Sequence, residues 1–197
     1  MASSASAQAR VAIITGAARG FGNGQARGLA ALGWRVCLTD LPSAELDQAS
    51  EELSAIAAEA GVECMALPCD ATDYSALVAT VAIVMETWSR LDLAVANAAV
   101  LQPLTLANTT PEQWDRLLVV NLSSVFYLWR AVWDMMASQP QGGHLLAIAS
   151  GASVRGGAAS GVYAAAKHGI EGLVKSVAAE GRTAGISVNS IGPGCTL

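Results

Sequence analysis

Three side chains in the last third of the chain have the types and spacing for proton transfer. Tyr163 and Lys167 stand four residues apart in a run that reads as helix. That spacing places both on one helical face, one turn apart. Ser150 comes thirteen residues before Tyr163, at the end of a run that reads as strand. A free phenol titrates near pH ~10, too high for a base at neutrality. A fixed ammonium beside it favours the phenolate. Tyr163 could then exchange a proton with a carbinol oxygen. Taken alone, the pair also fits a helical tyrosine next to a surface lysine, so the rest of the chain decides.

A second constellation lies near the start. Thr15-Gly16-Ala17-Ala18-Arg19-Gly20-Phe21-Gly22 joins an apolar run to a helical one. Glycines at 16, 20 and 22 let the backbone turn tightly and approach a pyrophosphate, and the helix N-terminus adds partial positive charge. Asp40 ends the next apolar run, twenty residues after Gly20, the distance expected of a ribose-binding carboxylate. Loop and acid together predict dinucleotide binding. A carboxylate at 40 accepts bonds from a ribose 2′-hydroxyl and repels a 2′-phosphate, which favours NAD. Arg19 pulls towards NADP, but Asp40 stands where the ribose hydroxyls would be and ranks higher.

The elements that must position these groups follow from periodicity. Strands are expected at Arg10–Thr15, Trp34–Thr39, Val62–Leu67, Leu91–Ala96, His144–Ala149 and Ile186–Ile191. Helices are expected at Gly22–Gly33, Ser43–Ala60, Asp73–Ser89, Thr110–Ser138 and Gly161–Gly181. Thr110-Pro111-Glu112-Gln113 offers an N-cap, a proline at the first position and a capping-box glutamine. Strands alternating with helices predict an α/β fold, a doubly wound, mostly parallel Rossmann-type sheet with helices on both faces. Gly16, Asp40, Asp70, Asn97, Ser150 and Pro193 then all fall at carboxyl ends of strands, the edge where such sheets bind ligands.

Composition bounds the alternatives. A chain of 197 residues fits one domain, read here as residues 10–197 behind a disordered tail, Met1–Ala9. The tail lacks the apolar core of a secretory signal. A net charge of −5 argues against a nucleic-acid footprint. Cys37, Cys64, Cys69 and Cys195 match no metal spacing, and His144 and His168 are too isolated to form a ligand cluster, so no metal is expected. Reduced thiols and a cytoplasmic location are the default. Leu117–Trp133 is apolar but carries Asn121, Ser123, Ser124 and Arg130, so it reads as a buried or interfacial helix and not a membrane span.

In order along the chain, Thr15-Gly-x-x-x-Gly-x-Gly, Asp40, Asp70, Asn97-Ala98, Asn121, Ser150, Tyr163-x-x-x-Lys167 and Pro193-Gly194 resemble the short-chain dehydrogenase/reductase family, single-domain type, from Val11 onwards. The resemblance implies hydride transfer between NAD(H) and a secondary alcohol or ketone. It implies that Tyr163 is the acid/base, that Lys167 lowers its pKa and binds the nicotinamide ribose, and that Ser150 holds the substrate oxygen. Asn121 would position a water linking Lys167 to solvent. Asp70 would meet the adenine end, Asn97 and Ala98 would line the cofactor, and Pro193 and Gly194 would lie near the nicotinamide with Tyr163.

The resemblance further implies a homodimer or homotetramer built on the Tyr163 helix and the helix bearing Phe126, Tyr127, Trp129 and Trp133. Two departures stand out. Ala96-Asn97-Ala98-Ala99 replaces the family's Asn-Asn-Ala-Gly. The sequence stops at Leu197, where the family continues through a carboxamide-binding threonine, a substrate-covering segment and a seventh strand. Thr196 is too close to Pro193 to be that threonine. A nucleotide-binding fragment with little turnover is therefore the alternative reading. A methyltransferase, which also places an acid after its second strand, gives no reason for Tyr163, Lys167 and Ser150 together. The substrate-shaping stretches Leu101–Ala107 and Ala152–Ser160 carry no decodable pattern.

Overall fold

The computed structural model of the chain describes residues 9–194. The tail expected over Met1–Ala9 falls outside them except for Ala9, as do Cys195 and Thr196. Six strands form one parallel sheet: β1 (Val11–Thr15), β2 (Arg35–Asp40), β3 (Met65–Pro68), β4 (Leu93–Ala96), β5 (Gly143–Ile148) and β6 (Ile186–Ile191). Their spatial order is β3-β2-β1-β4-β5-β6, the Rossmann-type order, with its switch point between β1 and β4. The helices are α1 (Gly20–Ala31), α2 (Ala44–Glu59), α3 (Tyr74–Trp88), α4 (Pro111–Leu118), α5 (Ser124–Ser138) and α6 (Gly161–Ala184).

Successive strand residues feed opposite faces, which is why both faces are apolar. Ile14, Val36 and Leu38 pack with Ala26 and Ala30 of α1 and with Leu46, Ala49 and Leu53 of α2. Val11, Ile13 and Leu145 pack with Leu77 and Val84 of α3, Leu128 and Val132 of α5 and Ile170 of α6. Among the described residues no helix is long and apolar enough to cross a membrane.

Several boundaries differ from expectation; β4, for one, begins at Leu93 and not Leu91. α1 starts two residues earlier, because Gly20 already enters the helix. β3 begins at Met65 and not Val62, because Gly61 takes φ +70° and Val62 N–H bonds back to the Ala57 carbonyl, closing α2. The helix read over 110–138 is two helices, α4 and α5, joined by a π turn at Val119–Ser123. α6 runs past Gly181 to Ala184. Gly181 is not a stop: a Cβ there would collide with the Ile186 carbonyl oxygen, so the glycine lets β6 cross the helix closely. Gly185, at φ +69°, is the true cap. The capping box at α4 forms as expected, with Thr110 Oγ1 accepting from Gln113 N and Gln113 Oε1 accepting from Thr110 N.

The edge of the sheet away from the site is closed by side chains. Asp92 accepts from Val11 N at 2.8 Å and pairs with Arg90. Gln139 Oε1 accepts from Leu91 N, and its Nε2 donates to the Leu91 and Gly142 carbonyls, each at 2.9 Å. Gln139→Leu keeps the volume but strands those partly buried groups. Urea unfolding is expected to show a loss of about 1–3 kcal/mol with an unchanged m-value.

Candidate active site

β1 delivers the glycine loop directly onto the neighbouring strand. Gly16 adopts φ +64°, and a Cβ there would stand 2.6 Å from Ala98 Cα. Any side chain would therefore be both strained and clashing. A Cβ on Gly22 would stand 2.5 Å from Asn97 Nδ2 and 2.7 Å from the Gly16 oxygen. The Asn97 amide explains the crowding. It donates to the carbonyls of Thr15 at 2.9 Å and Gly16 at 2.7 Å, while Asn97 N and Ala98 N reach Thr15 Oγ1. The Asn97 amide thus acts as a clasp between β4 and the loop.

α2, α3 and α4 are capped by the side chains of Ser43, Asp73 and Thr110. α1 is not: Arg19 holds its N-cap position without a capping bond, and the first turn carries no acid. Its first-turn N–H groups are left for an outside anion. Asp40, the last residue of β2, accepts from Ala18 N at 2.9 Å and from Leu41 N at 2.8 Å. A carboxylate has about four acceptor sites, so two remain for ribose hydroxyls. Asp70 accepts from Thr72 N at 2.8 Å and Thr72 Oγ1 at 2.7 Å, forming a turn beyond β3.

Gly16, Arg19, Asp40, Asp70, Asn97 and Ala98 line one cleft of 690 Å³ at the carboxyl edge of the sheet. Ala99 and Val100 complete that wall. Volume, uncapped helix and spare carboxylate acceptors fit the adenosine and pyrophosphate of a dinucleotide. Gly20, Phe21 and Gly22 are not part of this lining; Phe21 is half-exposed and Gly22 is buried. Leu41, Cys69, Thr72 and Arg116 also line the cleft and were not anticipated. The Asp-x-Thr pattern at 70–72 could have flagged Thr72. Arg116 gave no local signal, because α4 turns its last turn towards the cleft through tertiary packing alone. Burial pushes the Cys69 thiol above its ordinary range, which makes it a poor nucleophile.

Further along the same edge, Lys167 is 2% exposed. Its Nζ donates to the Ile148 carbonyl at 2.6 Å and lies 5.6 Å from the centre of the Tyr163 ring. Burial lowers its pKa from the ordinary 10.5 to about 8. Ser150, two residues beyond β5, starts a short 3₁₀ turn at Gly151–Ser153, against which α6 packs. Ser150 Oγ accepts from Ala152 N at 3.1 Å, so its proton is free to donate. Pro193 joins the same turn through Gly151 N, which donates to its carbonyl at 2.9 Å.

Asn121 lies in the π turn and is fully buried. Its Oδ1 accepts from Val100 N at 3.0 Å and its Nδ2 donates to the Leu117 carbonyl at 2.9 Å. The turn rests on α6, where a Cβ on Gly169 would meet Leu122 at 2.9 Å. Gly194 is exposed beside Pro193. The loops after β4 and β5 meet in one bridge between Leu104 and Ser160, with Leu104 N donating to the Ala159 carbonyl at 2.8 Å. Ala159 takes a left-handed φ of +54° to offer that carbonyl.

A profile described as short chain dehydrogenase matches residues 10–197. A sorbitol dehydrogenase of Cereibacter sphaeroides is 34% identical over 94% of this chain and 70% of its own length. The structure of an NAD+-bound xylitol dehydrogenase superposes with a TM-score of 0.85 at 28% identity, covering 94% of this chain and 70% of that one. A metagenomic short-chain oxidoreductase in complex with NADP gives 0.85 at 34% identity, covering 94% of this chain and 82% of that one.

Two measurements check this geometry. Asn97→Asp replaces two donated hydrogen bonds by carboxylate oxygens facing carbonyls, and denaturant unfolding is expected to show a loss of about 1–3 kcal/mol. Lys167 is charged in both folded and unfolded chain below about pH 8, where its burial costs most. Between about pH 8 and 10.5 the unfolded chain holds more protons, so stability climbs with pH. The climb is on the order of 3 kcal/mol; Lys167→Met should lack it, so urea titrations at pH 7 and 10 should show the stability difference between wild type and variant changing by about that amount.

Proposed function

The chain belongs to the short chain dehydrogenase family, and on that premise we propose that it transfers hydride between NAD(H) and a secondary alcohol or its ketone, with Tyr163 as acid/base. The observation that carries the proposal is the burial of Lys167. Among the described residues its ammonium pairs with a backbone carbonyl and with no carboxylate. Fold stability alone gives no reason to bury a charge in that way. A cation beside Tyr163 stabilises negative charge on the phenol oxygen.

NAD, when bound, supplies the hydride acceptor or donor. In the oxidative direction the carbinol proton passes to the Tyr163 oxygen as the carbinol carbon gives up its hydride. In the reductive direction Tyr163 returns that proton to the developing alkoxide. Ser150 donates its remaining hydroxyl proton to the same substrate oxygen and holds it in register with Tyr163. Lys167 also binds the nicotinamide ribose. Asn121 acts through the π turn it fixes against α6, where a water between Lys167 and solvent would complete the proton path. Pro193 and Gly194 flank the nicotinamide end, and Asp70 the adenine end.

Asp40 supports NAD(H) over NADP(H), since a 2′-phosphate would meet its carboxylate and Arg19 is the only compensating cation on the glycine loop. A homodimer or homotetramer through α5 and α6 fits the half-exposed Phe126 and the buried Trp129, whose Nε1 has no hydrogen-bond partner among the described residues. The free thiols of Cys37, Cys64 and Cys69 suit a reducing, cytoplasmic compartment.

The test is a screen of secondary alcohols and ketones with NAD(H) and NADP(H), using wild type and Tyr163→Phe. Turnover should favour NAD(H) and fall by about 10²–10⁴ in the variant, while NADH binding persists by fluorescence. Turnover that survives Tyr163→Phe would refute the acid/base role. NADH binding without turnover on any substrate would leave a nucleotide-binding chain.

A further inference from the structure

The segment 151–160 runs from Ser150 to the Tyr163 helix, and its hydroxyl groups are already engaged. Ser153 Oγ accepts from Ser150 N at 3.2 Å. Ser160 Oγ accepts from Gly157 N at 3.1 Å and donates to the Gly157 carbonyl at 2.8 Å. Arg155 differs. Its side chain is exposed and, among the described residues, makes no hydrogen bond or ion pair. A terminal guanidinium nitrogen lies 3.8 Å from where a Cβ on Gly151 would stand, and the Pro193 carbonyl oxygen lies 3.9 Å from the same point. A cation with unused donors therefore borders the turn that carries Ser150, and Gly151 has no side chain to screen it.

The surroundings set the rest of the chemistry. The loops after β4 and β5 hold no aspartate or glutamate between residues 99 and 109 or between 151 and 160. Their large exposed side chains include Leu101 at 66%, Leu106 at 95% and Val154 at 80% exposure. A guanidinium fork matches a carboxylate bidentately, and exposed apolar side chains on the same two loops suit a hydrocarbon body.

We propose that Arg155 is a specificity-determining residue that receives a carboxylate of the substrate, which is an oxo or hydroxy acid with an apolar body. This rests on the hydride-transfer reading, because it places the acid group relative to Ser150.

The experiment compares 2-, 3- and 4-oxooctanoate with their methyl esters as substrates, with NADH, in wild type, Arg155→Met and Arg155→Lys. Melting curves confirm that each variant is folded. Wild type should prefer one acid over its ester by about tenfold in kcat/KM, a modest factor because the pair is partly screened. The preferred acid reports the spacing between carbonyl and anion. Added salt should shrink the preference, Arg155→Met should bring the ratio to about one, and Arg155→Lys should retain part of it.

An acid-to-ester ratio unchanged in Arg155→Met, or no acid preference at any chain position, overturns the assignment. Calorimetry of octanoate with the NAD+ complex gives a second readout that needs no turnover. Binding weakened about tenfold in Arg155→Met supports the assignment, and equal affinity overturns it. If no substrate turns over with NADH while octanoate binding still discriminates the Arg155 variants, the hydride-transfer reading falls and the anion site stands.

Discussion

The carboxamide of Asn97 holds the site together. One amide nitrogen satisfies two carbonyls of the turn leaving β1, at 2.7 and 2.9 Å. That fixes Gly16 against Ala98, which fixes the start of α1, and Gly22 must be glycine because the amide occupies the space a methyl group would need. The uncapped end of α1 and the Asp40 carboxylate, itself bonded to Ala18, inherit their positions from this one contact. The cleft at the carboxyl edge is the hollow these constraints leave behind.

Much of this was legible in the chain itself, for identifiable reasons. Strand-ending residues share an edge whenever the sheet is parallel, so reading Gly16, Asp40, Asp70, Asn97, Ser150 and Pro193 as strand termini placed them correctly. Thr110 and Gln113 announced their own hydrogen bonds. What escaped notice depends on distant partners. Gly181 resembles a helix stop until β6 is seen crossing it. Asn121 lies within an apolar helical run, and nothing local says that its amide bonds Val100, twenty-one residues away, or that the helix widens to a π turn there. Asn97 was expected to line the cofactor. It does line the cleft, but its amide donors are directed at the loop backbone.

Lys167 marks where chemistry and stability diverge. Its ammonium is buried with a single carbonyl partner, and its pKa is lowered to about 8. A methionine would fill that space at lower cost. The surrounding scaffold is correspondingly well satisfied, with capped helices α2, α3 and α4 and the Asp92 and Gln139 contacts closing the far edge. The cost of burying one charge is offset by that frame.

The bridge between Leu104 and Ser160 ties the segment after β4 to the segment that leads from Ser150 to Tyr163. Because Ala159 holds a left-handed backbone to make that link, neither segment can be reshaped without disturbing its neighbour. The two segments therefore form a paired cassette. Retargeting it by grafting calls for transplanting both stretches together, since either one alone would arrive without its counterpart.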